Sequence, residues 1–212
     1  MANIRPYISL DIETTGLGPR AELLQIAAVE DDGITPIEKL DTINFIILKK
    51  SYNYGEPYAL GMNAWIFEEI KKHLERKETE IPVVPFNVAM QKFSELIVSC
   101  SKLAVMYDVE EGINPDPDVR CNRKIQLAGK NVGSFDRLKI DFECEQNEFT
   151  LPNMLQHRTI DVGGLYYQDF GFNPSLDEIN KLNGRDAVSH DALDDAFDVV
   201  HAIRQKLPIG KK

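Results

Sequence analysis

The feature that most constrains this chain is a pair of carboxylates, Asp11 and Glu13, set one residue apart in an otherwise apolar strand-forming run. The run is YISLDIETTGL at positions 7–17. A β-strand alternates its side chains with period two, so Asp11 and Glu13 point to one side and Ile12 to the other. Two adjacent carboxylates repel each other and resist burial. They persist together when a proton or a metal ion neutralises them. After Thr14 and Thr15, Gly16 lets the backbone turn sharply and leaves room beside the acids for a substrate. Taken alone, Asp-x-Glu is also what an acidic loop following a strand looks like, and only the downstream residues separate the two readings.

Residues 21–30 read as a second strand, closed by the hairpin signal Asp31-Asp32-Gly33, and Asp41 to Lys49 as a third. The three predict an antiparallel meander with Asp11 and Glu13 on its first strand. Apolar spacing predicts helices over Met62 to Lys77 and Val88 to Lys102. Tyr107 to Arg123 is acidic, holds two prolines and lacks periodicity, as a surface excursion would. Lys124 to Gly129 is a short fourth strand, and a helix follows through Phe135, Leu138 and Ile140. Helices are also expected over Leu151 to His157, over Val162 to Phe170, and from Pro174-Ser175-Leu176 through Leu182. The last helix starts near Ser189 or His190 and runs to Lys206, stopped by Pro208. Strands first, then helices interleaved with strands, predict a layered α/β or α+β sheet. Residues 1–207 read as a single domain with the excursion around 107–123, and 208–212 as a tail.

The chain has 212 residues and a formal net charge of −10. That length suits one domain with a good-sized core. The charge argues against gripping a long nucleic-acid backbone on a broad basic surface. It leaves room for an enzyme that holds a few terminal nucleotides locally, or that neutralises its own acidic site with cations. No run approaches the roughly 20 apolar residues of a membrane span, and the N-terminus lacks a signal-peptide pattern. Cys100, Cys121 and Cys144 have neither metal-ligand spacing nor an even count, which reads as reduced thiols in a cytoplasmic protein.

The last helix opens with four aspartates in eight residues, Asp191, Asp194, Asp195 and Asp198. Asp191/Asp195 and Asp194/Asp198 are like-charge pairs at i,i+4 and therefore costly. Around the helix, Ala192, Leu193, Ala196, Phe197, Val199, Val200 and Ile203 form a broad apolar stripe. Asp194, Asp198 and His201 fall opposite it and are expected to be solvated. Asp195 lies at the stripe's edge, faces inward and needs a cation. His190 sits at the helix entrance. Asp136, on the first turn of the helix after the fourth strand, is by itself a helix-dipole acid.

Three segments, DIETTGL at 11–17, NVGSFD at 131–136 and HDALDD at 190–195, resemble in order and spacing the three motifs of the DEDDh exonuclease family. That family includes DnaQ-like proofreading subunits, oligoribonuclease and RNase T. The resemblance implies an α/β, ribonuclease H-like fold with a mixed five-stranded sheet flanked by helices. It implies two divalent metal ions, Mg²⁺ or Mn²⁺, on Asp11, Glu13, Asp136 and Asp195, with His190 as general base. It further implies release of 5′-mononucleotides from the 3′ end of single-stranded DNA or RNA, and a DNA polymerase or another replication or repair component as a candidate partner. Carboxylates are the hard oxygen ligands such ions prefer. Two ions about 4 Å apart can activate a water and stabilise the leaving oxygen. An imidazole titrates near neutral pH and suits proton abstraction there.

Leu17 resembles the family residue that wedges against the terminal base, with a core leucine as the alternative. Thr14 and Asn131 are candidate contacts to the terminal nucleotide. Phe135 packs, stacks or does both. Trp65 stacks on a base or belongs to the core, and Asp161 supports the site or caps a helix. His73, His157 and His201 have no ligand partners at useful spacing. Two other functions share these residues: a catalytically silent nucleic-acid-binding module, and a phosphodiesterase acting on short oligonucleotides.

Overall fold

Tyr7–Thr14 forms β1, with apolar Ile8, Leu10 and Ile12 alternating with Tyr7, Ser9, Asp11 and Glu13. A computed structural model of the protein describes residues 4–112 and 123–207. β2 (Leu23–Asp31) and β3 (Thr42–Leu48) complete the expected antiparallel meander, with Asp11 opposite Ala27 and Glu13 opposite Gln25. The chain then forms α1 (Pro57–Met62), α2 (Ala64–Leu74), β4 (Val83–Pro85) and α3 (Phe86–Glu110). β5 (Leu127–Gly129) returns parallel to β1 and leads into α4 (Asp136–Gln146). β6 (Ile160–Asp161), α5 (Val162–Leu165), α6 (Tyr167–Phe170), α7 (Leu176–Leu182) and α8 (Ala192–Lys206) follow. The strand order is β4-β3-β2-β1-β5-β6, which puts β1 inside the sheet.

The architecture is the expected mixed sheet flanked by helices, with six strands where five were implied. The edge strands β4 and β6 have three and two residues, too few for a period-two pattern to register. The expected helix over Met62 to Lys77 is α2, preceded by the unexpected short α1, and between them Asn63 donates through Nδ2 to Thr14 O at 3.1 Å. α3 runs past Lys102 to Glu110 and takes in the start of the acidic segment; residues 113–122 of that segment lie outside the described residues. Asp108 explains the extension: it is buried and bonds Arg5 and Arg123. Leu151 to His157 is not helical. A parallel bridge between Ile125 and Leu155 draws it alongside the sheet, through Ile125 N to Met154 O (2.8 Å) and Gln156 N to Ile125 O (2.8 Å).

Alternation along β1 divides the core. Ile8, Leu10 and Ile12 face α3 and pack with Phe86, Met90, Phe93 and Ile97. Tyr7, Ser9, Asp11 and Glu13 share the opposite face, which α8 covers. Each large apolar side chain buried in this way contributes about 1.5–3 kcal/mol. Small residues bring α8 close: Ala192 and Ala196 are fully buried, and Ser9 Oγ donates to Ala196 O at 2.8 Å. At the far end of α8, Arg204 bonds the buried Asp31 through Nε (3.1 Å) and a terminal nitrogen (2.5 Å), and Tyr7 Oη donates to the same carboxylate at 2.6 Å.

The closeness of α8 to β1 yields a first prediction. Ala196→Leu should force the helix off the sheet and destabilise the protein by about 1–3 kcal/mol, the usual cost of overpacking a filled core. Urea unfolding checks this, and a stability unchanged within error would mean that the interface has room to spare.

Candidate active site

Three elements converge on the α8 side of β1. Asp11 and Glu13 stand on β1 itself. Asp136 is the first residue of α4, reached through a tight crossing from β5. A Cβ on Gly129 would lie 2.9 Å from Leu10 O, so only glycine lets the chain cross this close to β1. Asn131 then adopts a left-handed conformation (φ 60°), fixed by its N–H donating to Asp161 Oδ2 at 2.9 Å. Asp195 arrives from the first turn of α8, capped by Asp191, whose Oδ1 accepts from Leu193 N (2.9 Å) and Asp194 N (3.4 Å). His190 precedes that cap, exposed and also left-handed (φ 57°).

Ligand atoms of Glu13, His190 and Asp195 all lie within 4.8 Å of one another. Asp11 and Asp136 are not among these three residues; Asp11 stands next to them electrostatically, under the charges of Asp136, Asp195 and Glu13. The carboxyl of Asp11 is raised well above its ordinary value by burial, and then by the charges of Asp136, Asp195, Glu13 and Asp191. Burial also lifts Glu13 to about 7, opposed by a hydrogen bond from Asn63 and reinforced by Asp195, Asp191 and Asp136. Asp136 is pushed up to about 7 by burial, against backbone hydrogen bonds at its own residue and Ile12. Asp195 reaches about 7 through burial, then through Asp198, Asp194 and Asp191. Among the described residues, no lysine or arginine pairs with any of the four. Asp195 Oδ1 is buried without any hydrogen-bond partner. An orphaned buried carboxylate oxygen beside three further acids is a donor set that fits a hard divalent cation.

The other expected residues divide. Leu17 is 78% exposed, which removes the core alternative. Thr14 is buried and its hydroxyl closes the turn by donating to Gly16 O at 2.7 Å. Asn131 Oδ1 faces Lys130 Nζ at 3.4 Å. Phe135 packs against the α3-side core, and Trp65 against the cluster of Leu24, Ile46 and Ile66. Asp161 caps α5 by accepting from Gly164 N, as a helix N-cap would. Asp198 corrects the helical-wheel expectation. It is buried, because α7 and the segment after it cover that side of α8, and it bonds Asn180 Nδ2 (2.5 Å) and Arg185 (3.0 and 2.7 Å).

The sequence reading passed over Gln25, a polar side chain in the apolar run of β2, which was itself the available signal. Gln25 is fully buried. Its Nε2 donates to Asn44 Oδ1 (2.9 Å) and Asp191 Oδ2 (3.3 Å), and its Oε1 accepts from Ala192 N (3.3 Å). It thereby ties the entrance of α8 to the sheet beside Glu13.

The raised carboxyls make stability depend on pH in a definite direction. An acid whose folded pKa exceeds its unfolded value favours the fold below about pH 4, and that advantage is lost as pH rises toward the folded value, here about 7. Protein stripped of divalent ions should therefore melt higher at pH 5 than at pH 8, and Asp11→Asn should reduce that difference by stabilising the protein at pH 8. Calorimetric melting in a chelator at both pH values checks this. An Asp11→Asn protein that melts lower than wild type at pH 8 would show that the carboxylate supports the fold.

The chain matches no protein-family model. No characterised protein matches it by sequence. Solved structures do. Exonuclease I of E. coli in complex with a dA16 oligonucleotide is similar with a TM-score of 0.61 and 16% identity, over 97% of this chain and 42% of that one. The zinc-ion-bound form of the E. coli ExoI–ssDNA complex gives 0.58 and 15%, over 97% and 42%. A full-length 3′-exonuclease gives 0.61 and 13%, over 98% and 62%. This chain thus spans 42% of the length of Exonuclease I. What the likeness establishes is the fold: the mixed sheet flanked by helices is the ribonuclease H-like architecture of these exonucleases.

Proposed function

We propose that the chain is a metal-dependent 3′–5′ exonuclease of DEDDh type, which removes 5′-mononucleotides from the 3′ end of single-stranded DNA or RNA. The observation that carries this reading is the meeting of Glu13, His190 and Asp195 ligand atoms at an orphaned Asp195 oxygen, within electrostatic reach of Asp11 and Asp136, with no lysine or arginine paired to the four carboxylates among the described residues. The fold shared with E. coli Exonuclease I, whose solved complexes contain dA16 and single-stranded DNA, supports it. Divalent cations, Mg²⁺ or Mn²⁺, held by the four carboxylates would supply the charge that stabilises the attacking and leaving oxygens of the scissile phosphodiester.

The chain's own residues account for the rest. His190 accepts a proton from the attacking water, from an exposed position within reach of Glu13 and Asp195. Exposed Leu17 lies against the terminal base and exposed Asn131 is a further candidate contact, while Thr14 shapes the turn that carries Leu17 and Phe135 contributes mainly to packing. Gln25 holds the entrance of α8 so that His190 stays beside the carboxylates. The net charge of −10 favours holding a short terminal stretch over tracking a long strand, which also keeps short oligonucleotides in the substrate class.

Digestion of 3′-labelled and 5′-labelled DNA and RNA oligomers with Mg²⁺ or Mn²⁺ tests the reading. A ladder shortening from the 3′ end is expected, and binding without cleavage would favour a silent binding module. His190→Ala should slow single turnover by roughly 10²–10⁴-fold, the usual contribution of a general base. Part of that loss should return at high pH, where hydroxide replaces the base. A mutant with an unchanged rate and pH profile would remove His190 from the mechanism.

A further inference from the structure

The loop between β1 and β2, residues 16–21, carries Leu17 and contains two glycines, Gly16 and Gly18. Such a loop would ordinarily be mobile. Here one peptide residue in it is gripped at both ends by opposite charges. The Gly18 N–H donates to Glu56 Oε1 at 3.1 Å, and the Gly18 carbonyl accepts from Lys139 Nζ at 2.6 Å. The same lysine nitrogen donates to Ala21 O at 3.2 Å. Glu56 is itself anchored to the loop, since its N–H donates to Thr15 O at 2.7 Å and Tyr54 Oη donates to its carboxylate at 3.3 Å. A Cβ on Gly16 would lie 2.6 Å from Glu56 Cδ, so the glutamate lies directly against the loop backbone.

Lys139 is the less expected of the two. It is 7% exposed, and a buried lysine normally meets a carboxylate. Glu143, one turn away on α4, is occupied by Lys49 Nζ (2.5 Å) and Leu23 N (3.3 Å), and Lys139 directs its ammonium at two backbone carbonyls instead. Lys139 stands one turn along the helix that begins with Asp136. The loop bearing Leu17 and the carboxylate of Asp136 therefore take their positions from the same rigid helix. Charge-assisted hydrogen bonds of this kind are roughly twice as strong as neutral ones and hold geometry well.

We infer that Lys139 and Glu56 are positioning residues, which fix the Gly18 peptide from both ends and so hold Leu17 where the last base of a single strand docks. The inference rests on the exonuclease reading for what Leu17 touches, while the clamp itself rests on the hydrogen bonds alone. Neither side chain is hydrogen-bonded to any of the four carboxylates. Loss of the clamp should weaken capture of the 3′ terminus more than it slows the chemical step.

Hydrogen exchange across residues 16–21, followed by mass spectrometry without substrate, reads the clamp directly. Exchange should quicken in Lys139→Met and in Glu56→Ala, and stay close to wild type in Glu56→Gln, which keeps an acceptor for the Gly18 N–H. The same two variants should raise KM for a single-stranded oligomer about tenfold, the effect of losing one hydrogen bond to a charged group. Their kcat should fall by less than about threefold, and calorimetric Mn²⁺ affinity should match wild type. If Lys139→Met fails to fold, the exposed-side pair Glu56→Ala and Glu56→Gln carries the test unaided. Unchanged loop exchange in Glu56→Ala would overturn the clamp. Faster exchange with an unaltered KM would overturn its role in holding the terminus. A wild-type protein that neither binds nor shortens oligomers would overturn the reading beneath it, with the exchange data still judging the clamp.

Discussion

Four carboxylates repelling one another without a protein counter-charge is the condition around which this molecule is arranged. At an effective dielectric of about 20, two like charges 4 Å apart repel by about 4 kcal/mol. Asp11, Glu13, Asp136 and Asp195 come from three separate elements, so their convergence is made by the fold and resisted by their own charge. Burial of the group raises every one of the four carboxyls, three of them to about 7. Without a cation, burial and mutual repulsion disfavour the charged forms of these acids, and the fold bears that cost.

Elsewhere the chain treats buried acids differently. Asp31 receives Arg204 and Tyr7, Asp108 receives Arg5 and Arg123, and Asp198 receives Arg185 and Asn180. Glu143 is met by Lys49. Glu30 is the other exception: one oxygen accepts from Ser99 Oγ at 3.3 Å, the second has no partner, and burial lifts it to about 7. Among the described residues, arginine or lysine meets buried acids in five places, Lys72 on Glu69 being the fifth, and meets none of the four acids of the site, which is the contrast on which the proposal of an ion from solution rests. The scaffold serves the same end. Ala192, Ala196 and Ser9 bring α8 against β1, Gly129 lets β5 turn close beside it, and Gln25 pins the entrance of α8.

Much of this was legible in the sequence because it is periodic. The alternation that sets Asp11 and Glu13 on one side of β1 and Ile12 on the other is the alternation seen. The turn at Asp31-Asp32-Gly33 ends β2, with Gly33 left-handed and its N–H donating to Asp31 Oδ1 at 2.7 Å. The return to β3, however, takes residues 32–41, with a 3-10 turn at Ile37–Lys39 in place of a tight hairpin. Asp195 faces inward because it borders the apolar stripe of α8. What was not legible depends on partners distant in the chain. Asp198 looked solvated until α7 and Arg185 were seen to cover it, and Leu151 to His157 shows helical spacing but is captured by Ile125. The edge strands β4 and β6 are too short to leave a pattern. Lys139 and Glu56 carry no local mark at all, since each acts on a loop more than thirty residues away.

The central claim, that the four carboxylates are built to hold divalent cations, is tested most directly by anomalous diffraction from crystals equilibrated with Mn²⁺ near pH 8. The account predicts anomalous peaks about 2.1 Å from oxygens of Asp11, Glu13, Asp136 and Asp195, with Asp195 Oδ1 among the ligands. Crystals holding millimolar Mn²⁺ with no peak between those carboxylates would contradict it.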